Sequence, residues 1–269
     1  MQEYYHNGLY YRKNDFEADR PTIVFVHGLS GSSSAWLTYE KAFDGKYNMV
    51  SIDLRGHGKS MKPAAYEEYA MENFIGDIHA LIVSQGIRKF VFVSHSFATL
   101  IILGYLEKYP GDAAASIFLS PSFDVGRALS SKILKPFLSL TPIFKLLPFS
   151  AKPGGHIDYS KHVKTGDWNI RRMIADVGNT TMRVYVYCTK QSYTVDAEEF
   201  LQHIDIPTLM IHGKDDSIFP VRNSIHMSEK IRDSKLILIP HADHIIALNN
   251  VPEICGYIES FIDQNRNLL

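Results

Sequence analysis

The chain has 269 residues, of which 45% are hydrophobic and 21% are charged, and its formal net charge at pH 7 is −1. This length fits one large α/β domain with an inserted lobe, and its core needs no disulfide or metal for stability. So balanced a charge gives no global electrostatic argument for nucleic-acid binding, and no apolar run approaches the roughly 18 residues of a membrane-spanning helix.

The first predicted element is a β-hairpin at 4–11. Asn7-Gly8 favours the positive φ angles of a tight turn, and a pair of tyrosines stands on each side of it. After the hairpin, short apolar runs alternate with amphipathic stretches such as 72–85, whose apolar residues recur at helical spacing. Strands are predicted at 22–26, 47–52, 89–93, 115–119, 208–211 and 235–239, and helices at 36–43, 72–85, 98–109, 221–231 and 251–263.

This alternation predicts an α/β fold, a mostly parallel twisted sheet with helices on both faces. The pattern lapses between the strands at 115–119 and 208–211, where prolines are scattered and short helical patterns dominate. A strand at 184–187 is the one exception suggested there. The predicted organisation is a core at 1–120 and 206–269, interrupted at 121–205 by a mainly helical cap.

A candidate nucleophile stands where the strand at 89–93 gives way to the next helix. Ser96 lies in the pentapeptide Ser-His-Ser-Phe-Ala, and a serine on so sharp a strand-to-helix turn projects its hydroxyl above the sheet. The usual spelling of this turn is G-x-S-x-G, and here Ser94 and Ala98 replace the glycines. Both are small, as the close passage of strand and helix requires.

A serine needs a base to take its proton and an acid to orient that base. Two later strand ends supply candidates, Asp215 and Asp216 in one case and His241 and His244 in the other. The order Ser, Asp, His is the one used by α/β folds with such a turn. All of these residues follow strands, at the sheet edge where open α/β sheets bind ligands.

These motifs together resemble the α/β-hydrolase superfamily, in its capped serine-esterase and C–C-hydrolase-like branch. His27-Gly28, the segment 53–60, the turn around Ser96, the segment 213–220 and the histidine after the last strand occur in the family's order over nearly the whole chain. The resemblance implies that Asp216, three residues after Gly213, is the acid and that His244 is the base. It implies turn positions for Asp215 and His241.

The resemblance also implies an oxyanion hole made by the backbone amides of Leu29 and Phe97, with Ser30 as an alternative to Leu29. It indicates that the polar segment holding Asp53, Arg55, His57 and Lys59 is a braced turn and not a catalytic site. His95, next to the candidate nucleophile, is expected to point away from the pocket along the strand alternation.

The insertion bears on the substrate. Between 124 and 176 it carries nine Lys or Arg against four Asp. This positive charge could attract anionic substrates or a membrane surface. It is equally well explained by the solvated faces of short helices. The stretch 133–149 is strongly apolar and could line a pocket, lie on lipid or contact the core. Phe97, Phe137 and Ile143 are the candidate substrate-binding residues, and Phe97 is equally well explained as a core residue.

The predicted function is hydrolysis of a carboxylic ester with an apolar acyl group, in an apolar or amphipathic small molecule, by Ser96, His244 and Asp216. The alternatives are C–C hydrolysis of a diketone-type substrate and a ligand receptor with vestigial activity. A serine nucleophile disfavours the family's aspartate-based haloalkane and epoxide chemistry. No cofactor, metal or nucleic-acid partner is expected, and the sequence leaves the oligomeric state open.

Compartment is predicted from the cysteines and the N-terminus. Cys188 and Cys255 show no paired spacing and are interpreted as reduced, buried thiols. The first eleven residues lack the apolar region of a signal peptide. The expectation is a cytoplasmic protein.

Overall fold

The computed structural model describes residues 1–127 and 141–269. The strands span Gln2–His6 (β1), Leu9–Lys13 (β2), Thr22–Val26 (β3), Asn48–Ile52 (β4), Val91–His95 (β5), Ala115–Leu119 (β6), Thr208–Gly213 (β7) and Ser234–Ile239 (β8). In the described residues they form an eight-stranded sheet in the order β1-β2-β4-β3-β5-β6-β7-β8. The β1–β2 and β2–β4 pairs are antiparallel and the five others are parallel, so the predicted mostly parallel sheet is confirmed.

Helices cover both faces of this sheet. They span Leu37–Ala42 (α1), Met71–Ser84 (α2), Phe97–Lys108 (α3), Thr141–Phe144 (α4), Ile170–Thr180 (α5), Met182–Ser192 (α6), Val221–Lys230 (α7), Ile246–Asn249 (α8) and Val251–Gln264 (α9). Short 3₁₀ helices lie at Ser33–Trp36, Tyr66–Tyr69, Val125–Arg127, Tyr159–His162, Leu201–His203 and Arg266–Leu268. Helices α2, α3 and α7 contribute to the core on one face, and α1, α8 and α9 to the core on the other.

The strand β3 shows why the central strands read as unbroken apolar runs. Val24 and Val26 belong to one core, whereas Ile23 and Phe25 belong to the other. Successive side chains of a strand point to opposite faces, so a strand covered on both sides must be apolar at every position.

Most predicted elements are confirmed. The hairpin forms with His6 paired to Leu9, and its turn residues Asn7 and Gly8 have φ angles of 49° and 80°. The other predicted strands and helices of the core form within about two residues of their expected ends. The largest shift is at β5, which begins and ends two residues later than predicted and therefore includes His95.

The suggested strand at 184–187 is wrong, because these residues lie inside α6. Alternating valine and tyrosine favours a strand by local propensity. The structure caps the helix instead at Thr181, whose hydroxyl accepts a hydrogen bond from the Val184 amide at 3.4 Å. Val184 and Tyr187, one helical turn apart, are both fully buried in the core, and this burial outweighs the local preference.

We call the chain between β6 and β7 the insertion, and its described residues contact loops that follow β3, β4, β7 and β8. Within the described residues, the Gly154 amide donates to the Gly58 carbonyl at 2.8 Å, and Lys62 Nζ donates to the Asn179 carbonyl. An isolated β-bridge between Asp124 and Asp196 joins the two ends of the insertion. The predicted domain boundaries at 121 and 205 stay a prediction.

Candidate active site

Ser96 stands at the junction between β5 and α3. Its backbone has φ 55° and ψ −117°, a conformation that a non-glycine residue rarely adopts. Ser94 and Ala98 beside it are fully buried, and the Ser94 hydroxyl has no hydrogen-bond partner among the described residues. The two small residues therefore serve where glycines are usual, and they leave one buried hydroxyl unpaired.

His244 lies between Ser96 and Asp216. Its Nε2 is 2.7 Å from Ser96 Oγ, and its Nδ1 is 2.7 Å from Asp216 Oδ2. A carboxylate can only accept hydrogen bonds, so Nδ1 carries the ring proton and donates a hydrogen bond to Asp216. Nε2 is then free to accept a hydrogen bond from the Ser96 hydroxyl. The three side chains are buried, with Asp216 fully inaccessible. The structure thus brings together the residues that the sequence assigned as nucleophile, base and acid.

The Asp216 carboxylate is held by several donors besides His244. Its Oδ1 accepts the backbone amides of Ile218 at 2.9 Å and Phe219 at 2.8 Å, and His212 Nε2 lies 3.0 Å from its Oδ2. Burial alone raises the pKa of the Asp216 carboxyl. The charge of His244 and the hydrogen bonds from His212 and His244 outweigh burial and hold this pKa well below its usual range. The acid is therefore ionised at neutral pH.

Leu29 and Phe97, the predicted sources of the oxyanion amides, line the same cavity as Ser96. In the described part of the chain, neither backbone amide has a hydrogen-bond partner. Gly28 lets this loop approach the turn, since a Cβ on Gly28 would lie 2.8 Å from His95 Nδ1 and 3.4 Å from Ser96 Cβ. Two free donors therefore stand beside the serine.

Of the residues weighed as alternatives, Asp215 and His241 are not part of the cavity wall, whereas Ser30 belongs to it together with Leu29. The side chain of Asp215 is 63% exposed and that of His241 is 95% exposed, and His241 Nδ1 lies 3.8 Å from Asp215 Oδ2 on the surface. Ser30 has a positive φ of 59°, and its hydroxyl donates to the neighbouring Leu29 carbonyl. Asp215 and His241 thus occupy turns, as the resemblance implied.

A cavity of about 320 Å³ opens beside Ser96, and most of its wall is apolar. Core and insertion share this wall. The core supplies Leu100, Ile218, Phe219 and Leu248, and the insertion supplies Tyr159, Trp168, Met173, Val177, Tyr185 and Tyr193. An apolar pocket with few polar groups is the usual form of a small-molecule site.

The three predicted substrate-binding residues are placed differently. Phe97 lines the cavity and also contacts Phe74 edge to face, with ring centroids 5.7 Å apart, so its predicted contact with substrate stays a prediction beside its place in the core. Ile143 is 55% exposed and is not among the residues of the cavity wall. Phe137 lies outside the described residues.

Several polar side chains of the insertion line the cavity, although no sequence motif marks them. Tyr159 donates its hydroxyl to Asp176 Oδ1 at 2.9 Å, and Arg172 Nη1 lies 3.3 Å from Asp176 Oδ2. Burial raises the pKa of Asp176 to about 6, although Tyr159 and Arg172 oppose it. Asp167, also in the wall, contacts the loops of the acid and the base. Sequence reasoning missed all four, because a single polar residue outside any motif gives no local signal of its role.

The prediction that His95 points away from the pocket is wrong. Its ring is part of the cavity wall, and its Nε2 lies 2.9 Å from the backbone carbonyl of His244. Burial, reinforced by the nearby charge of His244, lowers the pKa of His95 to about 3. The neutral ring donates Nε2–H to that carbonyl, so His95 supports the loop that carries His244.

The polar segment at 53–60 is a braced turn, as predicted. Asp53 is fully buried, and its carboxylate accepts the Ser33 amide at 2.6 Å and the Lys59 amide at 2.8 Å. Arg55 makes a two-point ion pair with Asp77, at 2.7 and 2.8 Å. These contacts satisfy the buried carboxylate of Asp53 and the guanidinium of Arg55.

The described residues contain no group of His, Cys, Asp and Glu side chains that suits a metal ion. Cys188 and Cys255 are free thiols, and burial raises the pKa of both. In the same part of the chain, every helix is too short or too polar to cross a membrane.

Comparison with known proteins agrees with this fold. The family described as alpha/beta hydrolase fold matches residues 21–251. The chain belongs to the α/β-hydrolase family. The predicted superfamily and fold are therefore confirmed, and such a hydrolase takes a small-molecule substrate.

The following relatives cover most of this α/β hydrolase. A protein of Synechocystis sp. named as a non-heme chloroperoxidase is 26% identical, over 94% of each chain. The 3-oxoadipate enol-lactonase 2 of Acinetobacter baylyi is 25% identical, over 85% of this chain and 84% of its own. An alpha/beta hydrolase enzyme from a Medee basin deep-sea metagenome library superposes with a TM-score of 0.76, at 20% identity and over 97% of each chain. The last of these supports the fold alone.

Proposed function

We propose that this α/β hydrolase is a serine hydrolase that cleaves a carboxylic ester through Ser96, His244 and Asp216. The observation that carries the proposal is the unbroken line of two 2.7 Å hydrogen bonds from Ser96 through His244 to Asp216. This arrangement makes a weakly nucleophilic hydroxyl reactive, because His244 takes its proton as the new bond forms.

In the proposed reaction, Ser96 Oγ attacks the ester carbonyl carbon while its proton passes to His244 Nε2. The Leu29 and Phe97 amides donate to the oxyanion of the tetrahedral intermediate. His244 then gives the proton to the leaving alcohol oxygen, and the C–O bond breaks to leave an acyl-enzyme on Ser96. A water molecule, deprotonated by His244, then attacks the acyl carbon. As the bond between this carbon and Ser96 Oγ breaks, His244 returns the proton to Ser96 Oγ, and the carboxylic acid is released.

We further propose that residues 121–205 form a cap over a core made of 1–120 and 206–269. The β-bridge between Asp124 and Asp196 supports this, because it brings the two ends of the insertion together at the core. The apolar cavity wall, shared by core and insertion, supports an apolar acyl group with Phe97 as one of its contacts. Since a lactone is a cyclic ester, the lactonase relative places lactones among the substrates worth testing.

A fluorophosphonate probe tests the nucleophile. It should label wild-type protein at Ser96, and Ser96→Ala should lose labelling while keeping the fold. Its kcat for a p-nitrophenyl ester should fall on the order of 10⁶-fold, because triad members act as a unit. The control is Ser228→Ala, at an exposed serine that donates to the Ile225 carbonyl, and it should behave as wild type. Labelling at another serine, or turnover by Ser96→Ala, would contradict the assignment.

The acyl preference is tested with p-nitrophenyl esters of two to six acyl carbons, below the concentration at which they form micelles. Each methylene buried in the cavity should contribute about 0.8 kcal/mol, close to fourfold in kcat/KM. The whole series should gain on the order of a hundredfold. A steady fall from acetate onward would reject the apolar pocket, and uniformly low rates would favour a receptor with vestigial activity.

A further inference from the structure

Asp167, a residue of the insertion, bonds to both loops that hold the proposed base and acid. Its Oδ1 accepts the backbone amide of His244 at 2.7 Å. Its Oδ2 accepts the amide of Ser217 at 2.9 Å and the Ser217 hydroxyl at 2.6 Å. Ser217 directly follows Asp216, so a single carboxylate links the chain at the acid to the chain at the base.

The loop that carries Asp167 is itself fixed to α5. Arg172 donates from Nη2 to the Asp167 carbonyl at 2.7 Å, and Asn169 caps the helix by accepting the Arg172 amide at 2.9 Å. The neighbouring Trp168 donates from Nε1 to Ser217 Oγ at 2.9 Å. The Ser217 hydroxyl therefore donates a hydrogen bond to Asp167 and accepts one from Trp168. Both of these hydrogen bonds connect it to the insertion.

We propose that Asp167 is a positioning residue: it sets the distance between the acid and base loops, and so aligns His244 with Ser96 when the insertion is seated. The inference rests on the proposed function of Ser96 and His244. Asp167 is 8% exposed, and its carboxylate accepts three short hydrogen bonds from these two loops. Misplacement of a catalytic group by about 1 Å can lower the rate about 10²-fold, so such a link matters to turnover.

The charge of Asp167 gives a second readout besides alignment. The ionisable groups that face His244 come from its own loop, the acid loop, β5 and the insertion; they are Asp243, Asp216, His95 and Asp167. Arg172 lines the same cavity. Asp167→Asn removes one negative charge from this set and leaves the others. Protonated His244 then loses a favourable neighbour, and the acidic limb of the kcat/KM profile should move to lower pH.

The experiment compares Asp167→Asn and Ser217→Ala with the control Asp158→Asn. Asp158 is another insertion carboxylate, but its hydrogen bonds go to Ser160 and its ion pair to Lys161 within its own turn. Asp167→Asn should lower kcat about 10²-fold with KM nearly unchanged. Ser217→Ala, which removes one of the three bonds, should lower kcat about fivefold. The control should match wild type in kcat, KM and pH profile.

A readout without turnover keeps this inference separate from the proposed function. The downfield imidazole N–H proton of His244, identified by its loss in His244→Ala, should shift or broaden in Asp167→Asn and stay unchanged in Asp158→Asn. If Ser96 is not labelled by the probe, the proposed function fails, and this signal still decides the role of Asp167. An unchanged signal and unchanged kcat in folded Asp167→Asn would overturn the inference. So would a rise in KM alone, since it would make Asp167 a substrate contact.

Discussion

Two histidine–aspartate pairs in the described residues, each with a buried carboxylate, have almost the same hydrogen-bond distance. His244 Nδ1 lies 2.7 Å from Asp216 Oδ2, and His156 Nε2 lies 2.8 Å from Asp53 Oδ2. Both aspartate side chains are fully inaccessible, and each follows a strand of the parallel part of the sheet. By the hydrogen bond alone, either pair could serve to orient a catalytic base.

The surroundings of the two histidines separate them. His244 offers its second ring nitrogen to Ser96 beside an apolar cavity. His156 comes from the insertion and lies edge to face against Tyr10, with ring centroids 5.0 Å apart. Its aspartate also accepts the Ser33 and Lys59 amides of the core. A histidine–aspartate pair can therefore be a purely structural link. The strained serine and the cavity beside His244 are the features that indicate catalysis.

The largest effect should separate the two aspartates by activity. Asp216→Asn should lower kcat about 10⁴-fold, because the amide favours the wrong tautomer of His244. Asp53→Asn should lower kcat far less, and Asp215→Asn, at an exposed turn, should leave it unchanged. Steady-state kinetics on one p-nitrophenyl ester checks all three. A greater loss in Asp215→Asn would place the acid one residue earlier.

The next effect concerns stability. Asp53→Asn should lower the free energy of unfolding by about 3 kcal/mol, since it breaks a buried pair and turns an amide group toward the backbone donors. Urea unfolding followed by circular dichroism measures this difference. The exposed Asp215→Asn serves as the matched control. An Asp53 variant as stable as wild type would mean that the braced turn contributes nothing to the fold.

The pH dependence of stability should report on Asp53 separately. Burial raises its pKa, but the hydrogen bond and charge of His156, with His27 and the Ser33 amide, lower it to about 2 from 3.8. A carboxyl with a lowered pKa stabilises the fold above its unfolded pKa and loses that effect as pH falls. Wild type should therefore lose about 2 kcal/mol between pH 4 and 2 that Asp53→Asn does not lose. Parallel unfolding curves over this range would contradict the shift.

The smallest effect should come from the insertion side of the same pair. His156→Gln removes one of the bonds to Asp53 and should cost about 1 kcal/mol of unfolding free energy. It should leave kcat near the wild-type value, whereas His244→Gln should remove activity. If His156→Gln loses kcat and keeps its stability, the two pairs are not as different as proposed.

The sequence by itself determined the sheet, the helices around it and the order of the proposed triad. These follow from local signals: β3 is apolar throughout because both faces are covered, and the turn at Ser96 needs small neighbours. The strand ends offered Asp215 or Asp216 and His241 or His244, and the resemblance to the α/β-hydrolase superfamily implied Asp216 and His244. Signals of this kind are carried by residues close together in the chain, so they survive without coordinates.

Tertiary structure decided the rest. Whether 184–187 forms a strand or a helix depended on which side chains the core could bury. The orientation of the His95 ring depended on its hydrogen bond to a backbone carbonyl 149 residues away. Asp167 meets Ser217 and His244 across 50 and 77 residues of sequence. No periodicity and no local composition in the sequence predicts hydrogen bonds between such distant residues, because these bonds form only once the insertion packs against the core.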